Sequence, residues 1–200
     1  MNRSLLLASV ALVLVGCNKT GASSSAAASD QAVSSQPTDP VALAGTPPDA
    51  DPAAAPTPLF VEKAGVTDMY EIQASRLALT KSMNNDVKAF ARMAIDDHTK
   101  STDALKQAIK DSGRTDIEAP ADLSEEQTSR MTDLKGAPDT LFDTMYLSQQ
   151  AAVHADASNL LTAYAQNGDT PALKTFAGKT APVVQKHLDK VHEIQAKLAK

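Results

Sequence analysis

Two hundred residues, 42% of them hydrophobic and 22% charged, suit one globular domain with accessory segments, although aromatics make up only 4% and tryptophan is missing. The net charge of -5 and pI near 5.3 exclude a nucleic-acid-binding surface, which needs a clustered basic face, and no such cluster is present. A single cysteine excludes an internal disulfide.

The chain opens with Arg3 as a positive flank and an apolar run from Leu5 to Val15, well short of the roughly 20 residues a spanning helix needs. Leu14-Val15-Gly16-Cys17 follows directly and resembles the lipobox of bacterial lipoproteins. That resemblance implies removal of a signal peptide, residues 1–16, and acylation of Cys17, whose lipid chains would tie the protein to a membrane. Asn18, in place of the aspartate that retains lipoproteins in the inner membrane of many Gram-negative bacteria, points to the outer membrane, facing the periplasm.

Residues 17–58 are a different material. Alanine, serine, proline, threonine and glycine dominate, as in Ser23-Ser24-Ser25-Ala26-Ala27-Ala28 and Asp51-Pro52-Ala53-Ala54-Ala55-Pro56. Such a segment cannot bury enough apolar surface to offset its ordering entropy, so it reads as a disordered tether reaching on the order of 35 Å.

Helical periodicity begins near Leu59, and residues 59–200 are the expected folded domain. A first helix to about Met83 carries Val61, Gly65, Met69, Ile72, Leu79 and Met83 on its main stripe, with Val66, Tyr70 and Leu77 on another. Beside the stripe, Ala64, Glu71, Ser75, Ala78 and Ser82 form a face of small residues interrupted by one carboxylate. Asn84-Asn85-Asp86 offers a turn and an N-cap, and the short connection dictates an antiparallel hairpin. In the second helix Val87, Phe90, Ala91, Ala94, Leu105 and Ile109 share one face, and that face must also take in His98.

Gly113 marks the end of the second helix. After a polar loop, Ser124-Glu125-Glu126-Gln127 is a capping box for a short third helix that stops near Gly136. Pro138 fits the first turn of a fourth helix with Phe142, Tyr146, Val153, Leu160 and Tyr164 on its core side and His154 flanked by Leu147, Ala151 and Leu161. Pro171 opens the last segment, and Pro182 either kinks it or starts a fresh helix carrying Val184, His187, Val191, Ile194 and Leu198. The expected fold is all-α: a four-helix bundle of two antiparallel hairpins, with the short extra helix in the crossover.

The pattern Phe60-Val61, Glu71, Val87-Lys88-Ala89-Phe90-Ala91, Asp96-Asp97-His98-Thr99, Gly136, Phe142-Asp143, Tyr146, His154, Pro182 and His187-Leu188 resembles a bacterial ferritin-like family, domain of unknown function 4142, over Leu59 to Lys200. The resemblance implies a ferritin-like fold and an exported protein, with no activity established for the family as a whole. In that family an acidic residue commonly precedes the second histidine, whereas here Val153 does.

Two classes of function follow. In the first, a lipid-tethered helical domain acts in the cell envelope through interaction or stress maintenance, without chemistry of its own, and each histidine is a core residue bonded to Tyr70, Tyr146, Tyr164 or a backbone carbonyl. In the second, His98, His154 and His187, with Glu71 on the remaining helix, converge on a metal or redox site. Mostly imidazole ligands suit zinc, copper or nickel. A di-iron carboxylate centre is excluded, because Ile95, Ala151 and Val184 stand where its glutamates would precede the histidines. Asp96 and Asp97 are the candidate partners of His98, His192 is expected at the surface, and Met69, Met83 and Met145 are expected as core filler. No phosphate loop, nucleophile elbow or zinc-protease motif is present, which leaves no residues on which to build a catalytic mechanism without excluding an enzyme.

Overall fold

The computed structural model describes residues 53–200. The expected signal segment, Cys17 and the expected tether up to residue 52 lie outside the described residues. Among these residues there are five helices and no strand: α1 Thr57–Lys81, α2 Asn85–Asp111, α3 Glu125–Gly136, α4 Asp139–Asn167 and α5 Pro171–Leu198. None is long and apolar enough to cross a membrane.

The signals at the helix ends act as their chemistry dictates. Asn84 Oδ1 accepts the backbone N–H groups of Asp86 and Val87 at 2.8 and 3.1 Å, satisfying two donors that the first turn of α2 leaves free. Gly113, at φ 67°, ends α2 in the left-handed region that only glycine enters without strain. Ser124 caps α3 through Gln127 N–H. Pro182 neither breaks α5 nor starts a new helix, because it sits on the exposed face, where the carbonyl it leaves unpaired, that of exposed Gly178, faces water.

The four long helices form a square in which α1 lies beside α2 and α4, and α5 beside α4 and α2. Every neighbouring pair is antiparallel. Thr57 at the start of α1 meets Tyr164 near the end of α4 at 2.5 Å, Ser75 meets Tyr146 at 2.9 Å, and Lys197 at the end of α5 reaches Asp86 at the start of α2 at 3.0 Å. The chain therefore passes from the end of α2 to the start of the diagonal α4 by a crossover along the bundle, with α3 laid over α1 and α4. One long crossover is the connectivity of ferritin-like bundles.

The inward face of α1 differs from the expected stripe. Ala64, Asp68, Glu71, Ser75, Ala78 and Ser82 are buried, whereas Met69, Ile72 and Leu79 are only partly covered and Met83 is 88% exposed. Val61 and Gly65 of the expected stripe and Val66 and Tyr70 of the second are buried as expected, while beyond them the small residues let α1 come close to its neighbours and Met69, Ile72 and Leu79 lie at its flanks. Gly65 marks the closest approach: a Cβ there would lie 2.5 and 2.6 Å from Pro120 Cδ and Cγ in the crossover. Gly65→Ala is expected to lower stability by about 1–3 kcal/mol with helix content unchanged. A denaturant midpoint equal to the parent's would show that the crossover yields at no cost.

The interior is divided. One apolar cluster gathers Tyr70, Phe90, Phe142, Tyr146, Val191 and Ile194, and the other Phe60, Leu105, Leu161, Tyr164, Leu173 and Phe176. Along each long helix the change from one cluster to the other coincides with a buried polar residue: Asp68 and Glu71 on α1, His98 on α2, His154 on α4 and His187 on α5. The bundle is thus two hydrophobic ends with a polar layer between them.

Candidate metal centre

Each histidine of this layer is held by one ring nitrogen from outside, which decides what the other can do. Gln150 O lies 2.9 Å from Nδ1 of His154, and because a carbonyl only accepts, that nitrogen carries the hydrogen and Nε2 keeps a lone pair. Asp68 Oδ1 lies 2.8 Å from Nδ1 of His98, and Asp97 Oδ2 lies 3.2 Å from Nε2 of His187. The acceptor nitrogens left over are His98 Nε2, His154 Nε2 and His187 Nδ1. The three histidines are all buried and offer one ligand atom each within 4.8 Å of one another.

Converging acceptor nitrogens repel unless a proton or a metal ion lies between them. His154 Nε2 and His187 Nδ1 are 3.3 Å apart, and His98 Nε2 has no hydrogen-bond partner. An ion with bonds of about 2 Å in tetrahedral geometry spaces its donors by roughly 3.3 Å, so His154 and His187 are at ligand spacing, and a ring nitrogen of His98 lies within 4.8 Å of both. Phe90 stands edge-on to His154 and His187, with centroids 6.0 and 5.9 Å away, and limits how those rings can turn. The outer acceptors Asp68, Asp97 and Gln150 O do what such partners do around metal-bound imidazoles, fixing tautomer and orientation.

The electrostatics of the layer are uneven. Burial, followed by repulsion from His98 and His187, takes the His154 pKa down to about 3. Burial and His98 also lower His187. For His98 burial acts downward too, but the Asp68 hydrogen bond and the Glu71 and Asp68 charges outweigh it and leave the pKa raised. Glu71 is fully enclosed, and burial pushes its carboxyl up to about 7 against the opposing pull of His98 and the neighbouring Gln150 side chain. Neither its oxygens nor the amide atoms of Gln150 reach a partner at ordinary hydrogen-bond geometry, so the contact between the two side chains is a loose one.

The residues expected from the sequence take up distinct places. His98, His154 and His187 come together. Glu71 lies at the edge of the group, its Oε1 3.7 Å from the Nδ1 of His154, and is not among the converging donors. The expected tyrosine partners do not materialise: Tyr70 donates to Gln149 Oε1, Tyr146 bonds Ser75, and Tyr164 bonds Thr57. His154 alone uses a backbone carbonyl. Asp97 serves His187 rather than His98, and Asp96 is exposed. The partner of His98 is Asp68, which sequence reasoning passed over. Its spacing from Ala64, Glu71 and Ser75 puts it on the same face of α1, and that was the available signal. His192 is exposed, as expected.

The sequence profile of a domain of unknown function, DUF4142, matches residues 42–194. The chain belongs to the DUF4142 family. No curated protein matches this DUF4142 chain in sequence. Two solved structures of CopM, one in the Cu(I)-bound form and one in the Cu(II)-bound form, share its architecture. They are each 15% identical to it, with TM-scores of 0.60 and 0.61, over 73% and 72% of this chain and 99% of theirs. At that identity the likeness is one of fold.

Proposed function

We propose that this DUF4142 protein is a cell-envelope lipoprotein whose helical bundle binds one transition-metal ion through His98, His154 and His187. The observation that carries the reading is the convergence of three buried imidazoles, which bring ligand atoms within 4.8 Å of one another and are each anchored through a ring nitrogen, to Asp68, Gln150 O and Asp97. A core that needed histidines only as hydrogen-bonding filler would have no reason to aim their free nitrogens at one another. Imidazole donors suit copper, zinc or nickel. Copper is further supported by the similarly folded CopM, solved with Cu(I) and with Cu(II). Attachment through Cys17 to the outer membrane, facing the periplasm, rests on the lipobox and Asn18. It would present the site to ions entering the envelope. Storage, buffering or delivery of the ion is the role such a module can fill without catalytic residues.

The test is direct. After stripping with chelator, the protein is expected to take up one equivalent of Cu(I), Cu(II), Zn(II) or Ni(II) and to melt at a higher temperature with the bound ion, because an ion that binds only the folded state stabilises it by mass action. Each ligand must be neutral to bind, so uptake should weaken as the pH falls, beginning above the ordinary histidine value because His98 is raised. Identical melting with and without every one of these ions would overturn the reading.

A further inference from the structure

We infer that the centre is charge-matched to a divalent cation and that Glu71 is the residue that sets this preference, an inference that rests on the metal-binding reading above. The starting point is an inventory of buried charge. Among the described residues the buried polar and charged side chains are Thr57, Asp68, Glu71, Ser75, Ser82, His98, Gln150, His154, Thr170 and His187. The set contains two carboxylates and no lysine or arginine. Asp97 also touches the layer, but it is about one-third exposed and its other oxygen is paired with Lys100 at 3.1 Å, so its charge is offset at the surface.

With an ion in place the three imidazoles are neutral donors and contribute no charge. Asp68 and Glu71 then leave the interior with two negative charges. A divalent ion closes that balance, whereas a monovalent one leaves a carboxylate uncompensated in a water-poor layer, where buried charge must be paired or bound to metal. Glu71 is the more telling of the two. Asp68 has the His98 N–H and, at 3.5 Å, the Thr102 hydroxyl. Glu71 is 0% exposed, and the side chain that can hydrogen-bond it is the equally buried, neutral amide of Gln150. A buried carboxylate with only a neutral amide beside it and no buried lysine or arginine calls for a cation. Glu71 lies against the ring of His154 without joining the converging nitrogens, so it acts on the ion through space rather than as a bond to it.

Through-space attraction scales with the charge of the ion, so its loss must cost a 2+ ion twice as much, on a logarithmic scale, as a 1+ ion. The experiment compares the parent, Glu71→Gln and Glu71→Asp, all metal-stripped. Dissociation constants for Zn(II) and, anaerobically, for Cu(I) are read by competition with chromophoric chelators at one pH near 8. Glu71→Gln is expected to weaken Zn(II) about a hundredfold and Cu(I) about tenfold. Glu71→Asp keeps the charge and should stay close to the parent ratio. Equal loss of both ions in Glu71→Gln, or loss of neither, would overturn the inference while leaving the site standing. A Glu71→Asp ratio that follows Glu71→Gln would overturn it too, since shape and not charge would then decide. A parent that binds neither ion would instead remove the metal-binding reading itself.

Discussion

His154→Ala is expected to lose two to three orders of magnitude in metal affinity, while His192→Ala binds as the parent does. Structural ions bound by imidazole and thiolate ligands contribute about 10–16 kcal/mol in total, so removing one of three donors removes several kcal/mol of it. His154 is the informative choice because its two nitrogens have separate duties, Nδ1 to Gln150 O and Nε2 towards the centre, and because its low pKa means that no proton competes for Nε2 at neutral pH. His192 controls for adventitious imidazole binding, since it is exposed and lies outside the converging group. Isothermal titration or chelator competition would read the difference. Parent-like affinity in His154→Ala would place the ion elsewhere on the chain.

The second large effect requires no metal. At pH 8 metal-free Glu71→Gln is expected to be more stable than the parent by roughly 3 kcal/mol, or about 10 °C in melting temperature, with the difference vanishing near pH 4.5. The sign follows from the direction of the shift. Glu71 titrates near 4.5 when unfolded and near 7 when folded, so the folded chain holds its proton more tightly. Its contribution is at its most favourable below the unfolded value and is lost as the pH rises through about 7, where folding must bury an anion. His154 runs the other way. Its folded pKa is depressed to about 3, so the stability of keeping it neutral is complete above about 6.5 and is lost as the pH falls. The parent's pH profile therefore mixes opposing slopes, whereas the difference between parent and Glu71→Gln isolates the glutamate. A variant less stable than the parent at pH 8 would falsify the description of Glu71 as a carboxylate whose burial is left uncompensated in the metal-free protein. Together with the selectivity expected of the same substitution, it makes Glu71 a residue that costs the empty protein stability and favours the loaded one.

The features legible in the sequence were those governed by local chemistry. Caps at Asn84 and Ser124, the glycine at position 113 and the proline starts fixed helix ends to within about two residues. The three histidines were legible because each sits in a stripe of large apolar residues, and such a stripe has to be buried. The face of α1 was legible only in part: Phe60, Val61 and Tyr70 mark it, but most of its other inward positions are alanine, serine, aspartate and glutamate, and no count of large hydrophobic residues selects them. The pairing of His98 failed for a related reason. Asp96 and Asp97 are adjacent in sequence, but side chains one or two positions apart on a helix point in different directions and do not meet. The real partner, Asp68, is thirty positions away on another helix and becomes a neighbour only after packing. Whether three core histidines share one centre was likewise beyond periodicity, which gives the face of each helix but not the height at which helices meet.

The three proposed ligands are divided between the two hairpins, and under the metal-binding proposal that division governs the order of assembly. His154 and His187 belong to the α4–α5 hairpin and come within 3.3 Å of each other through a loop of only 33 residues, whereas His98 arrives with the α1–α2 hairpin. A newly made or refolding chain can therefore form a two-imidazole half-site early, from local contacts, and complete it only when the hairpins dock. An ion captured by the half-site gains its third ligand at the docking step and must give it up again before the hairpins can part. It would act as a latch across the seam between them, slowing their separation more than it speeds their formation.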